Sequence, residues 1–229
     1  SMNINFTVRT ALFLMASLIF MSNVAAAQTL DPYYARLNEL NQIKPYQNPR
    51  WDRLERVQKN AIVDNKNKVI GSLTGITLAQ NGTVQALNVD LDRLQLGRTT
   101  LNYNAMRIKS GSASYILGFD DGAIKDNYAA LLANVEPAGG DDGLLNANAL
   151  KGASIEVSDG RRIGRVEEIM FTARNDRAEA IVSNINYKGV RANSLAIPFA
   201  TLDFYPVGNS YKVILTPHQA DALLQFASR

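Results

Sequence analysis

A pattern written twice narrows the fold more than any other feature of this chain. Residues 59–73 (KNAIVDNKNKVIGSL) and 151–166 (KGASIEVSDGRRIGRV) share one layout, with Ile163-Gly164 lying 93 residues after Ile70-Gly71. In each, a short apolar run enters a polar turn, Asn65-Lys66-Asn67 or Ser158-Asp159-Gly160, and a second apolar run leaves it. Asp-Gly between strand-like runs is a strong hairpin signal, so both stretches predict paired strands. The match continues with strands at 74–78 and 167–171, turns at Asn81-Gly82 and Asn175-Asp176, and strands at 84–89 and 178–185. Segments 101–104 and 195–198, then 114–117 and 211–215, complete the two series. Asn81-Gly82-Thr83 also has the form of a glycosylation acceptor, but its setting is that of a hairpin turn.

Each series ends in a helix signal. Thr216-Pro217-His218-Gln219 has the form of a capping box, with Pro217 at the first helical position and Gln219 reaching back. Ala220, Leu223, Leu224 and Ala227 then make an apolar stripe. In the first series Asp120 or Asp121 starts a helix carrying Ile124, Tyr128, Leu131 and Leu132. Between the two lies Pro137-Ala138-Gly139-Gly140-Asp141-Asp142-Gly143, rich in turn formers. The expected fold is therefore mainly β: two tandem small antiparallel β-barrels at residues 59–136 and 151–229, a linker at 137–150, and a short C-terminal helix closing each barrel. Units this small bury only about 60% of their unfolded surface, so they are expected to pack on each other or on another copy.

This layout resembles the PRC-barrel family, the small β-barrel of the photosynthetic reaction-centre H subunit and of a ribosome maturation factor. The second copy carries the resemblance through Gly152, Asp159-Gly160, Ile163-Gly164, the strand at 166–171, Ala196-Ile197-Pro198, Leu202 and the helix begun by Thr216. The first copy departs from it, with Asn104 where the second has Pro198 and Asn67 where it has Gly160. The resemblance spans residues 59–133 and 151–227. It implies a scaffold or interaction domain that docks onto another protein, with no shared catalytic residues and no cofactor.

Ahead of the repeats, residues 28–58 are polar and aromatic and carry Pro32, Pro45 and Pro49. Tyr33, Leu37, Leu40 and Ile43 fall at helical spacing, and Trp51, Leu54 and Val57 repeat it. This partly helical segment is expected either to pack on the domain behind it or to dock a partner. Residues 2–27 read as a secretory signal: Arg9 is the only charge, residues 11–21 (ALFLMASLIFM) are apolar, and Ala25 and Ala27 precede a cut before Gln28. The apolar stretch to Ala27 has 17 residues, short of the ~20 a membrane span needs. Ser1 reads as a non-native addition. The expected compartment is periplasmic or secreted, with membrane contact only through the leader if it stays uncleaved. The absence of cysteine suits an oxidising compartment.

Composition then limits the chemistry. With no Cys, disulfides, Cys-ligated zinc, iron–sulfur clusters and thiol nucleophiles are excluded, and one His leaves no His-pair metal site. His218 sits at the second position of a capped helix, where an exposed, non-catalytic side chain is expected. Asp90/Asp92 and Glu167/Glu168 lack the spacing of a calcium loop and read as solvated strand ends, with Glu167 and Glu168 on opposite faces. The Gly139–Gly143 run lacks the Lys of a phosphate loop. No catalytic, cofactor or metal residue is expected. The one candidate patch is Arg161, Arg162, Arg165, Arg174 and Arg177, from two successive hairpin turns and the strand between them. If these converge, they would receive an acidic protein or anionic headgroups. A net charge of +3, or +2 without residues 1–27, does not suggest nucleic acid. The leading expectation is a non-enzymatic periplasmic scaffold or adaptor working through protein–protein contacts, self-association included. The alternatives are a small-molecule or envelope-binding module using the cleft between repeats and, last, a carboxylate-based hydrolase.

Overall fold

The computed structural model describes residues 31–133 and 143–229, so the expected leader, residues 134–142 with most of the expected linker, and the side chains of the expected Leu131 and Leu132 stripe lie outside the described residues. The chain enters through an arm. Helix α1 (Pro32–Leu40) starts behind the Asp31 cap, which accepts from the Tyr33 amide, and it ends at Asn41. Leu37 and Leu40 are buried on it, while Ile43, expected to continue the stripe, falls beyond the helix end and is 45% exposed. Trp51 is not helical either: it opens strand β1 (Trp51–Arg53), and only the turn α2 (Leu54–Val57) follows.

The first repeat comprises β2 (Ala61–Val63), β3 (Val69–Leu78), β4 (Val84–Asp90), β5 (Arg98–Asn102), β6 (Lys109–Ser110) and β7 (Ser114–Ile116), followed by α3 (Asp121–Asp126) and α4 (Tyr128–Ala133). A second arm follows, β8 (Leu145–Asn146) and α5 (Ala147–Leu150). The second repeat is β9 (Ser154–Glu156), β10 (Arg162–Thr172), β11 (Ala178–Tyr187), β12 (Val190–Pro198), β13 (Phe204–Val207), β14 (Ser210–Ile214) and α6 (Pro217–Ala227). The sheet orders are β5-β4-β3-β2-β7-β6 and β12-β11-β10-β9-β14-β13, the same path taken twice. In each, the first and last strands of the path's inner pair, β2 with β7 and β9 with β14, run parallel, and the other pairs are antiparallel. The protein is thus mainly β, with two curled sheets forming half-barrels.

The repeated Ile-Gly motif has a steric reason. A Cβ on Gly164 would lie 2.5 Å from the Asn184 carbonyl oxygen and 2.6 Å from the Ser183 hydroxyl, and one on Gly71 would strike the Asp90 carbonyl. Both glycines let the next strand cross closely where the sheet curls. The turns preceding them also correspond: Asn67 and Gly160 both take left-handed backbone, at φ 61° and 87°.

The two repeats exchange their arms. Strand β1, which precedes the first repeat, pairs with β10 of the second. Strand β8, which precedes the second repeat, pairs with β3 of the first. Between them the hairpin turns meet: Thr83 and Arg177 form an antiparallel bridge, the Val84 amide donates to Asp176 O at 2.9 Å, and the Ala178 amide donates to Gly82 O at 2.8 Å. Equivalent positions thus pair with each other, as across the two-fold axis of an isologous dimer. Residues 143–150, expected to belong to a linker, carry buried Leu145, Ala147 and Leu150 and join one core cluster with both repeats. The N-terminal arm packs on the second repeat through α1 and β1, while its Leu54 and Val57 join the core cluster shared by both repeats.

Sequence explains why only the second sheet needs that cover. The outward positions of β10, β11 and β12 are Met170, Ala180, Val182 and Ala196, a small apolar cluster sealed by Leu40 and Trp51. In the first sheet the positions matching Met170, Val182 and Ala196 hold Thr77, Asn88 and Thr100, joined by side-chain hydrogen bonds at 3.4 and 2.8 Å, and only the match of Ala180 stays apolar, as Ala86. Strands buried on both faces read as continuous apolar runs, whereas half-solvated strands alternate.

Candidate functional site

The joint between the arm and the two repeats is built around a buried asparagine. Asn175 holds a left-handed turn at φ 54° between β10 and β11, and only 1% of it is exposed. Its side-chain amide, oriented to suit its neighbours, donates to Asp52 Oδ2 at 3.1 Å and to Thr172 O at 3.3 Å. Its carbonyl accepts from the Tyr115 hydroxyl of the first repeat at 2.8 Å. Asp52 is held in turn by both ends of the Arg56 guanidinium. One turn of the second repeat is therefore fixed by the arm and by the first repeat together. Tyr103 stands edge-on to Tyr115, with ring centroids 6.2 Å apart. Burial, with Asp176 nearby, pushes the Tyr103 phenol up to about 12, and burial pushes Tyr115 higher still.

Above this joint run three adjoining depressions. One of about 460 Å³ is bounded by Thr83, Thr172, Arg174, Asp176 and Arg177. A second, about 400 Å³, shares Arg174 and Asp176 and adds Tyr103, Lys109 and Ser110. A third, about 520 Å³, shares Thr172 and extends past Trp51 to α1. Together they form a groove lined by the arm and both repeats. Along it, Arg50, Lys109, Arg174 and Arg177 make no ion pair among the described residues. Asp176 accepts from the Thr172 hydroxyl at 2.9 Å, and Arg36 is occupied by Glu39 and Glu179 at 3.0 and 2.5 Å.

The five arginines expected as one patch do not converge. Arg162 begins β10 and Thr172 ends it, and a strand of 11 residues at about 3.3 Å per residue separates its ends by on the order of 30 Å. Arg161, Arg162 and Arg165 sit at the far end. There Arg161 pairs with Asp159 and lies 5.3 Å from the Tyr187 ring centroid, Arg162 faces Glu156 across the strands, and Arg165 donates to Gly152 O at 3.1 Å. Only Arg174 and Arg177 reach the groove. That Lys109 and Tyr103 share a depression with Arg174 was not legible, because the folding of the two repeats against each other and not chain proximity brings them there. The single Trp of the chain was the one local signal.

The remaining candidates resolve individually. Glu167 is exposed and accepts from Asn184 at 2.6 Å, whereas Glu168 is 3% exposed, with Lys151 at 3.6 Å. Glu168 is therefore not a solvated strand end: the irregularity in β10 between Val166 and Glu168 sets it opposite Val182, on the outer face that the arm covers. Asp90 closes β4 beside Arg98, and Asp92 lies in a separate 3-10 turn. His218 is exposed and pairs with Asp31 at 3.0 Å, tying α6 to the start of α1. Among the described residues no three His, Asp or Glu side chains gather as a metal site. No described helix is long and apolar enough to cross a membrane. The chain matches no protein-family model and no curated protein.

Proposed function

We propose that this chain is a non-enzymatic scaffold or adaptor of tandem PRC-barrel type, acting in the periplasm or outside the cell, that docks an acidic segment of a partner protein in the groove at its joint. The observation that carries this reading is the groove's rim of cations. Arg174 and Arg177 come from the second repeat and Lys109 from the first, and none has an ion-pair partner among the described residues. Guanidinium groups match carboxylates with paired donors, and such complementarity steers association and weakens with salt. The PRC-barrel reading is supported by the repeated strand order and the steric role of both Ile-Gly pairs. The compartment rests on the apolar leader and the absence of cysteine.

Site-specific photocrosslinking tests it. A photoreactive residue replaces Ala173, exposed in the groove, or Lys188, at the distal hairpin. In the native compartment the Ala173 position is expected to give a discrete adduct that disappears in Arg174→Glu/Arg177→Glu, while Lys188 gives none. No adduct at Ala173, or the same adduct from both positions, contradicts the proposal. Turnover of a hydrolase substrate that is lost in Arg174→Glu would replace it with an enzyme.

A further inference from the structure

The depression beside Trp51 has a chemistry distinct from the cationic rim. At about 520 Å³ it lies within the ~300–1,000 Å³ range of small-molecule sites. Its apolar side is Trp51, packed against the outer-face cluster that includes Leu40, Met170 and Val182, with Ile43 exposed beside it. Its polar side is made of planar groups on Arg36, Glu39, Gln42, Asn48, Arg50 and Glu179. Two cations and two anions balance, with Arg36 set between both glutamates at 3.0 and 2.5 Å. Any ionic ligand would meet a like charge there as readily as an opposite one.

The groups left over are mixed in kind. Among the described residues, Glu39 Oε1, Glu179 Oε2, the Gln42 side-chain amide, Asn48 Nδ2 and the Arg50 guanidinium make no hydrogen bond. Free acceptors and free donors therefore both line the depression that Trp51 borders. A hydroxyl group donates and accepts at once, so a ring of hydroxyls uses both kinds, and planar carboxylate, amide and guanidinium groups hold neighbouring hydroxyls in pairs. The C–H face of a pyranose is apolar and suits the indole. We infer that this depression binds a neutral saccharide, through Trp51 as platform and Arg50, Gln42 and Glu39 as hydroxyl partners.

The sole tryptophan is its own reporter. Chitobiose and maltose, an N-acetylated and a plain disaccharide, are titrated into the chain while Trp51 emission is followed. At least one is expected to give a saturable change with half-saturation at or below about 1 mM. By calorimetry, Arg50→Ala is expected to weaken that binding about tenfold, as for loss of a charged hydrogen bond, with an unchanged thermal midpoint. Arg174→Glu is expected to leave it intact. Pelleting of the chain, but not of Arg50→Ala, with insoluble chitin would assign a polymeric source, and binding of free disaccharide alone a soluble one. The inference is overturned if neither sugar gives saturation by about 10 mM, if Arg50→Ala binds as tightly, or if acetate or glycine saturates the site in place of sugars. Sugar binding absent while the Ala173 crosslink forms would remove this inference alone and leave the docking proposal standing.

Discussion

Tyr115 carries a side-chain hydrogen bond from the first repeat to the Asn175 carbonyl of the second, at 2.8 Å and fully buried. Tyr115→Phe leaves that carbonyl without its partner and is expected to cost about 1–3 kcal/mol, read from the urea midpoint. Burial also makes stability fall at alkaline pH. Tyr33 and Tyr103 are pushed up to about 12 from an ordinary 10.0, with burial the larger cause for both. The unfolded chain releases those protons near pH 10 while the folded chain keeps them, so the contribution is complete below pH 10 and is lost as pH rises toward 12. Phenolate absorbance should show Tyr33, Tyr103 and Tyr115 titrating above the ordinary phenol value, and denaturation should show lower stability at about pH 11 than at about pH 9. Gly164 tests the steric account of the Ile-Gly motif. Gly164→Ala sets a Cβ 2.5 Å from the Asn184 carbonyl and is expected to destabilise by about 1–3 kcal/mol.

At the scale of elements, the arm deals with two liabilities of the second sheet. Its outer face is apolar, and its edge strand β12 presents unpaired backbone groups, which invite association. Leu40 and Trp51 cover the face. Asn41 mimics a strand at the edge: its Nδ2 donates to Ala196 O at 2.9 Å and its Oδ1 accepts from the Ala196 amide at 2.8 Å. Asn41→Ala is expected to lose about 1–3 kcal/mol and to increase self-association, measured by denaturation and light scattering. Much at this scale was legible. The hairpins at Asn67 and Gly160 and the Thr216–Gln219 capping box follow from local turn and cap chemistry. The short strands β1, β6, β8 and β13 were not, because two to four residues carry little periodicity and their pairing is decided elsewhere. Leu145 and Leu150 were hidden in the same way, beside a run of Gly and Asp that reads as linker.

Over the whole molecule, duplication was visible in the residues, but the exchange of arms was not. Nothing in the periodicity of Trp51–Arg53 says that its partner is β10, more than a hundred residues on, and not the strands that follow it. The arginine patch failed for a related reason: positions near in sequence lie at opposite ends of an 11-residue strand, while Lys109 arrives from the other repeat. The groove exists only if arm and repeats fold as one body, and that is the central claim. Urea unfolding followed by Trp51 fluorescence and by far-ultraviolet circular dichroism tests it most directly, since Trp51 reports on the arm and the dichroism on both sheets. One transition with coincident midpoints is predicted. Two separated transitions, or a Trp51 signal lost well before the sheets unfold, would contradict it.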